Sequence, residues 1–336
     1  MPDTVLLIVA AGLACAVSAG LIAALLPLLR RLAPAVPNAR SSHRTPTPQG
    51  AGAAVTAATL SVAAGFSMFG PAQASGPWLW MVMAAALLTA VVGAADDIRP
   101  LGVLPRLALQ TLAVLLVIAS LPADLRIAAA LPWWIERGLL VIGALWFVNL
   151  TNFMDGIDWM TVAEMVPLTF VLAVFGLLGA LPAPATLVAA ALCGALLGFA
   201  PFNRPVARVF LGDVGSLPIG LLAGWLLLLL AGHGHGAAAL LLPLYYLADA
   251  TLTLLRRLAH AEPIWQAHRA HFYQRATDRG LPVPAIVTRV FSVNLGLAAL
   301  ALATFVWPGG ATDALALVCG ALLVAGLLHN LMRGRR

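Results

Sequence analysis

The polar stretch NLTNFMDGIDWM, Asn149 to Met160, follows the apolar run Trp133 to Val148 and packs two amides (Asn149, Asn152) and two carboxylates (Asp155, Asp158) into ten residues. Asn152 and Asp155 are three residues apart, as are Asp155 and Asp158, so they fall within one turn of each other if a helix frays here. Gly156 between the acids loosens that helix and lets the backbone approach a ligand. Acids and amides at the end of an apolar helix, with no basic residue beside them, suit a hard cation with oxygen ligands, or the polar edges of a nucleotide. A helix-ending turn, in which the Asn and Asp side chains cap backbone groups, accounts for the same residues.

Four other polar stretches carry chemistry. PNARSSHRTPTPQGAG, from Pro37, offers Arg40, Ser41, Ser42, His43 and Arg44 as donors, beside Pro46 and Pro48 and before Gly50 and Gly52. Donors on a stiff loop suit a phosphate, and a solvated basic loop that holds topology is the other reading. DDIRPLGVLPRLALQ, from Asp96, sets two adjacent carboxylates at a helix end, where they repel unless a cation, a base or a shared proton joins them. Arg99 and Arg106 are the candidate partners; a general base or a metal-organising pair is the functional alternative. Arg106 and Gln110 lie one turn apart. In FNRPVARVFLGDVGSLPIG, which includes Arg204, Asp213 stands between Gly212 and Gly215 and reads as a metal ligand on exposed backbone or as a helix N-cap. In HRAHFYQR, the residues His268, His271 and Arg275 are spaced to share one helical face, where with Arg269 they would grip a diphosphate. A zinc site lacks the HExxH spacing and a third ligand, and an amphipathic helix lying on a bilayer is the competing picture.

These stretches need a scaffold, and the composition names it. The chain has 336 residues, 62 % hydrophobic and 10 % charged, with a mean hydropathy of +0.97; soluble domains average about 25 % charged. An all-α polytopic membrane protein follows, in which apolar runs at 4–29, 51–70, 77–95, 103–121, 133–150, 162–180, 183–200, 214–231, 237–255, 284–306 and 312–331 predict about eleven transmembrane helices. With the N-terminus periplasmic and the C-terminus cytoplasmic, seventeen of the nineteen arginines are inside, and only Arg126 and Arg137 are outside. Asp96, Asp97, Asp155, Asp158 and Asp213 gather at the same inner ends and Asp249 lies about two turns deep, so the active site is expected on cytoplasmic loops. The +6 charge reflects topology rather than nucleic-acid binding. Cys15, Cys193 and Cys319 lie in apolar runs and read as packing residues. The first run lacks a leading positive charge and reads as a membrane helix rather than a cleaved signal. HGHG at 233–236 reads as a turn.

Taken in order, PNARSSHRTPTP, DDIRPLGVLPRLALQ, NLTNFMDGIDWM, FLGDVGS and HRAHFYQR resemble the polyprenyl-phosphate N-acetylhexosamine-1-phosphate transferases of glycosyltransferase family 4, over about residues 30–280 of a single domain spanning 1–336. Two further helices, 284–331, follow. The resemblance implies transfer of a sugar-1-phosphate from a UDP-sugar to undecaprenyl phosphate with magnesium, or manganese in its place, and release of UMP, in a bacterial inner membrane. It assigns Asp96 and Asp97 to the lipid-phosphate nucleophile, Asn152 and Asp213 to the metal, Asp155 and Asp158 to the donor or its uridine, and His268 and His271 to the histidine motif of the last large loop. The arginines of three loops would offset phosphate charge. The expected partners are the UDP-sugar, undecaprenyl phosphate and the bilayer, with a second copy of the chain as a candidate and no nucleic acid.

This chain departs from the family pattern at Trp159, where the family usually has Gly, and at Gln49 and Ala51, where it has a basic residue and Gly. HRAHFYQR is closer to the O-antigen-initiating branch than to the muramoyl-pentapeptide branch. The donor is accordingly UDP-N-acetylglucosamine or a deoxy sugar such as UDP-N-acetylfucosamine or UDP-N-acetylquinovosamine. A transporter of an anionic substrate would carry acids near mid-membrane or in interrupted helices, and a non-catalytic homologue would leave the five polar loops unexplained.

Overall fold

The computed structural model describes residues 3–32, 34–35, 46–69, 76–263 and 268–333. Helix α1 (Asp3–Leu32) leads to a two-residue antiparallel pair, β1 (Pro34–Ala35) with β2 (Thr47–Pro48). Then come α2 (Gly52–Phe69), α3 (Pro77–Ile98), α4 (Val103–Ser120), α5 (Trp133–Met154), α6 (Met160–Leu177), α7 (Ala183–Phe199) and α8 (Asp213–Gly232). The chain ends with α9 (Gly236–Leu241), α10 (Leu244–Ala259), α11 (Phe272–Asp278), α12 (Val283–Val306) and α13 (Gly310–Arg333). Proline opens α3, α7 and α12 in the first turn, where its missing N–H costs nothing and its fixed φ favours the helix.

Nine helices among the described residues are long and apolar enough to cross a membrane. Two of the eleven expected runs, 183–200 and 237–255, are not among these nine. The run 183–200 forms α7, only 17 residues long and buried along most of its length, held against α1, α2 and α6. The run 237–255 is broken into α9 and α10 around Pro243, because proline has no N–H to donate and its ring crowds the preceding turn.

The core is organised around α8, which packs on α3, α5, α2 and α9. Small residues let these helices approach closely, the usual way for apolar helices to gain packing energy where lipid is as apolar as a side chain. At Gly93 of α3 a Cβ would stand 2.2 Å from the Asp213 carbonyl oxygen and 2.5 Å from the Val214 nitrogen. Gly52 of α2 meets Gly215 of α8 in the same manner, 2.2 Å from its Cα. Thus the first turn of α8 is wedged between the backbones of α2 and α3.

At the other end of α5 the two arginines that break the inside pattern have structural partners. Buried Glu136 accepts from the Arg126 guanidinium and from the backbone N–H groups of Ile127 (2.6 Å) and Ala128 (2.8 Å). Arg137 donates to the carbonyls of Pro122 (2.8 Å) and Leu125 (3.0 Å). These bonds tie the 121–132 connection to α5, roughly 24 Å of helix from Asn152.

The crossing at Gly93 is testable. Gly93→Ala pushes a methyl into backbone that cannot give, and we expect a loss of about 1–3 kcal/mol in thermal unfolding of the detergent-solubilised protein. Gly65→Ala, which meets nothing within 4 Å, should instead be neutral or slightly stabilising; equal behaviour of the two variants would refute the close crossing.

Candidate active site

The site is built where α3, α5 and α8 end together. Gly212 precedes α8 with φ 77°, a left-handed conformation that glycine adopts freely. A Cβ there would sit 2.6 Å from Asp97 Oδ2. This bare backbone lets Asp97, in the last turn of α3, reach the first turn of α8, where Oδ1 accepts from the Asp213 N–H (3.0 Å) and Oδ2 from the Val214 N–H (3.1 Å). The sequence left Asp213 open as an N-cap; Asp97 fills that role instead, a carboxylate at the positive end of a helix dipole. Gln49 Nε2 donates to the Asp97 carbonyl at 3.3 Å, and Phe210 bonds its N–H to Pro48 O (2.8 Å). The end of the first polar loop therefore lies alongside the segment that leads into α8.

Asp213, freed from capping, turns its Oδ1 to Asn152 Nδ2 (2.7 Å), which also donates to Ser216 Oγ (2.9 Å). Asp96 and Asp97 act electrostatically on Asp213, so three acids and one amide from three helices face a common point. Of the two candidate partners, Arg106 pairs with Asp96 at 3.1 Å, which also accepts from the Leu101 N–H at 2.6 Å. Carboxylate and amide oxygens of Asp213 and Asn152, side by side at the start of α8, fit a hard cation. The described residues hold no cluster of three or more His, Cys, Asp or Glu suited to a metal. Two protein ligands suit magnesium, which keeps several waters and binds through one or two carboxylates plus substrate phosphates, better than a metal that demands a closed cage.

The turn after α5 carries the other two acids. Asp155 takes a 2.5 Å hydrogen bond from Thr161 Oγ1. Burial, helped by the charges of Asp97 and Asp158, pushes its carboxyl up to about 6 against that bond. Asp158 Oδ2 accepts from the Ala207 N–H at 3.0 Å, joining the turn to the loop before α8. Trp159 then adopts φ 63°, ψ 3°. This is the left-handed region where a side chain costs roughly 1–2 kcal/mol relative to glycine, which explains why a glycine suits the position. The strain is offset by two 2.7 Å bonds, from the Trp159 N–H to Asn203 Oδ1 and from its indole Nε1 to the Ala200 carbonyl.

A second polar knot lies beside the first. Buried Asp249 of α10 accepts from Tyr245 OH (3.2 Å) and Thr253 Oγ1 (3.4 Å), and meets His271 Nδ1 at 3.2 Å. It also caps α11 through the N–H groups of Phe272 (3.0 Å) and Tyr273 (3.3 Å). Tyr273 OH reaches the Phe153 carbonyl at 3.0 Å, and the His268 and His271 rings are 4.9 Å apart. Burial, then the neighbouring His271 and Arg257, lowers His268 to about 4, so it is neutral at physiological pH.

Several expectations need correction. His268, His271 and Arg275 do not share a helix face: His271 is the N-cap and α11 begins at Phe272, because Asp249 and Gln274 satisfy the first amides there. Nor is this a helix lying on a bilayer, since Tyr273, Gln274 and Ala276 are buried. Asn149 points away from the carboxylates and donates to Gln110 Oε1 (2.9 Å), locking α5 to α4. Arg269 pairs with Asp278 at 2.8 Å, and exposed Arg204 lines a separate groove. Arg40, Ser41, His43 and Arg44 lie outside the described residues. Residues without an assigned role, Asp249, Thr161, Asn203 and Gln49, hold the turn and the caps in place; Asp249 carried a signal as an acid at membrane depth, and Gln49 as a departure from the family pattern.

Residues 79–231, from α3 to the end of α8, match the family model described as glycosyl transferase family 4. The chain is 29 % identical over 273 residues to the phospho-N-acetylmuramoyl-pentapeptide-transferase of Ruegeria pomeroyi, covering 69 % of this chain and 74 % of that one. It is 40 % identical over 151 residues to the enzyme of the same name from Synechococcus sp., covering 39 % and 41 %. It is also 28 % identical over 212 residues to the decaprenyl-phosphate N-acetylglucosaminephosphotransferase of Mycobacterium tuberculosis, covering 56 % and 52 %. The chain thus spans about half or less of the length of the latter two. The matched segment contains Asp96, Asp97, Asn152, Asp155, Asp158 and Asp213 and stops short of the His268 region, so this chain has homologues among membrane phosphotransferases over the part that builds the carboxylate site.

Proposed function

We propose that the chain transfers a sugar-1-phosphate from a UDP-sugar to undecaprenyl phosphate. The meeting of Asp97, Asn152 and Asp213 where three apolar helices end carries this reading. A phosphate oxygen of the lipid attacks the sugar-bearing phosphorus of the donor, the bond to the bridging oxygen breaks, and UMP leaves with both electrons. The product is a lipid diphosphate bearing the sugar. The attacking phosphate monoester is mostly dianionic near neutrality, with a second pKa of about 6, so the step needs alignment and charge compensation more than a strong base.

In this reading Asp213 and Asn152 hold magnesium, or manganese in its place, which when bound would offset the charge of the joined phosphates. Asp97 keeps the α8 amides and Asp213 in register, and with Asp96 it flanks the acceptor phosphate. Asp155 and Asp158 face the nucleotide, and the His268–Arg275 segment, set by Asp249, meets the donor diphosphate. The resemblance in HRAHFYQR supports an N-acetylhexosamine donor, UDP-N-acetylglucosamine or a deoxy relative. The pathway would then be the initiation of O-antigen or another envelope polysaccharide, at the cytoplasmic face of a bacterial inner membrane.

The direct test is UMP release by purified protein with undecaprenyl phosphate and magnesium across a panel of UDP-sugars. One donor should support turnover, and Asp213→Ala should lower it by at least about a hundredfold; folded protein that releases UMP with none of the donors would defeat the reading. A second test addresses the neighbouring knot. Asp249→Asn weakens charge-assisted bonds worth roughly 1.5–3 kcal/mol each, so the KM for the donor should rise about tenfold or more while the acceptor KM is unchanged. A uniform loss on both substrates would mean Asp249 only stabilises the fold.

A further inference from the structure

A groove of about 540 Å³ opens beside the carboxylate site, between the start of α6, the end of α7 and the start of α12. This falls within the roughly 300–1,000 Å³ of small-ligand pockets, enough for a lipid headgroup and the top of one chain. Its walls are mainly apolar, with Trp159, Leu197, Pro201 and Val287 among them, and its polar groups include Arg204 and Thr288. Arg204 is exposed and forms no ion pair or hydrogen bond among the described residues. Leu197, on the flank of an apolar helix, is 47 % exposed. Trp159 keeps its left-handed backbone and its indole bond to Ala200 in forming one wall. Strained positions of this kind persist where the surroundings hold them for a purpose.

We propose that this groove binds an anionic phospholipid of the surrounding bilayer, its phosphodiester held by Arg204 and its chain laid against Trp159, Leu197 and Val287. An unpaired guanidinium in an apolar groove calls for a negative headgroup. The apolar walls call for a hydrocarbon tail rather than a soluble anion. None of Asp96, Asp97, Asn152 or Asp213 lines the groove, so its occupant lies apart from the reacting groups, which favours a phospholipid over the lipid phosphate consumed in the proposed reaction. The inference is independent of that reaction.

The test is native mass spectrometry of the full chain released from nanodiscs of phosphatidylglycerol mixed with phosphatidylcholine, with thermal unfolding to confirm that each variant is folded. Wild type should retain phosphatidylglycerol in preference to phosphatidylcholine. Arg204→Gln should weaken that retention about fivefold, and Thr288→Glu, at an exposed position, should abolish it by placing a like charge in the groove. Equal retention of both lipids, or undiminished retention by the folded variants, would overturn the proposal. Stoichiometric displacement of phosphatidylglycerol by undecaprenyl phosphate would overturn it too, by assigning the groove to an acceptor lipid.

Discussion

The arrangement depends on one carboxylate received by two amides. Asp97 takes the first two free N–H groups of α8, which would otherwise be left unsatisfied at the end of a buried helix. The bond is possible only because α3 and α8 touch at Gly93 and because Gly212 presents bare backbone. With α8 capped from outside, the side chain of its own first residue, Asp213, is free to meet Asn152. A cap that α8 supplied for itself would have removed the acid most suited to a ligand.

The second knot repeats the device at a different element. Asp249 caps α11 from α10, as Asp97 caps α8 from α3, and in both cases the acid accepts from two backbone N–H groups at the start of a helix. Tyr273 OH on Phe153 O links the two, so the histidine segment is positioned by the same helix that brings Asn152 to Asp213. Carboxylates that accept from fixed amides do not need to reorganise when charge builds up beside them. That property suits the handling of phosphates better than flexible ion pairs would.

Much of this was legible in the residues. The apolar runs place most of the helices, since a 20-residue hydrophobic stretch has few alternatives in a bilayer. The polar motifs contain the three acids and the amide that meet, Asp96, Asp97, Asp213 and Asn152, because polar and charged groups at the end of a membrane helix are costly enough to mark themselves. Reading failed at 237–255, where average hydropathy concealed the break at Pro243. It failed again at His268–Arg275, where helical spacing suggested a shared face but the helix starts only at Phe272.

By itself the sequence determined that the chain is a bundle of apolar helices with acids and amides at their ends, because hydropathy and charge are properties of each residue. The family resemblance also marked Trp159 as standing where a glycine is usual. Only the tertiary structure decided which acid caps and which is left for a ligand. Asp97 and Asp213 are 116 residues apart, and Asn152 and Asp213 are 61, so their pairing depends on how closely α3, α5 and α8 cross. That distance is set by contacts among backbones at Gly93 and Gly52, and no local spacing in the chain records it.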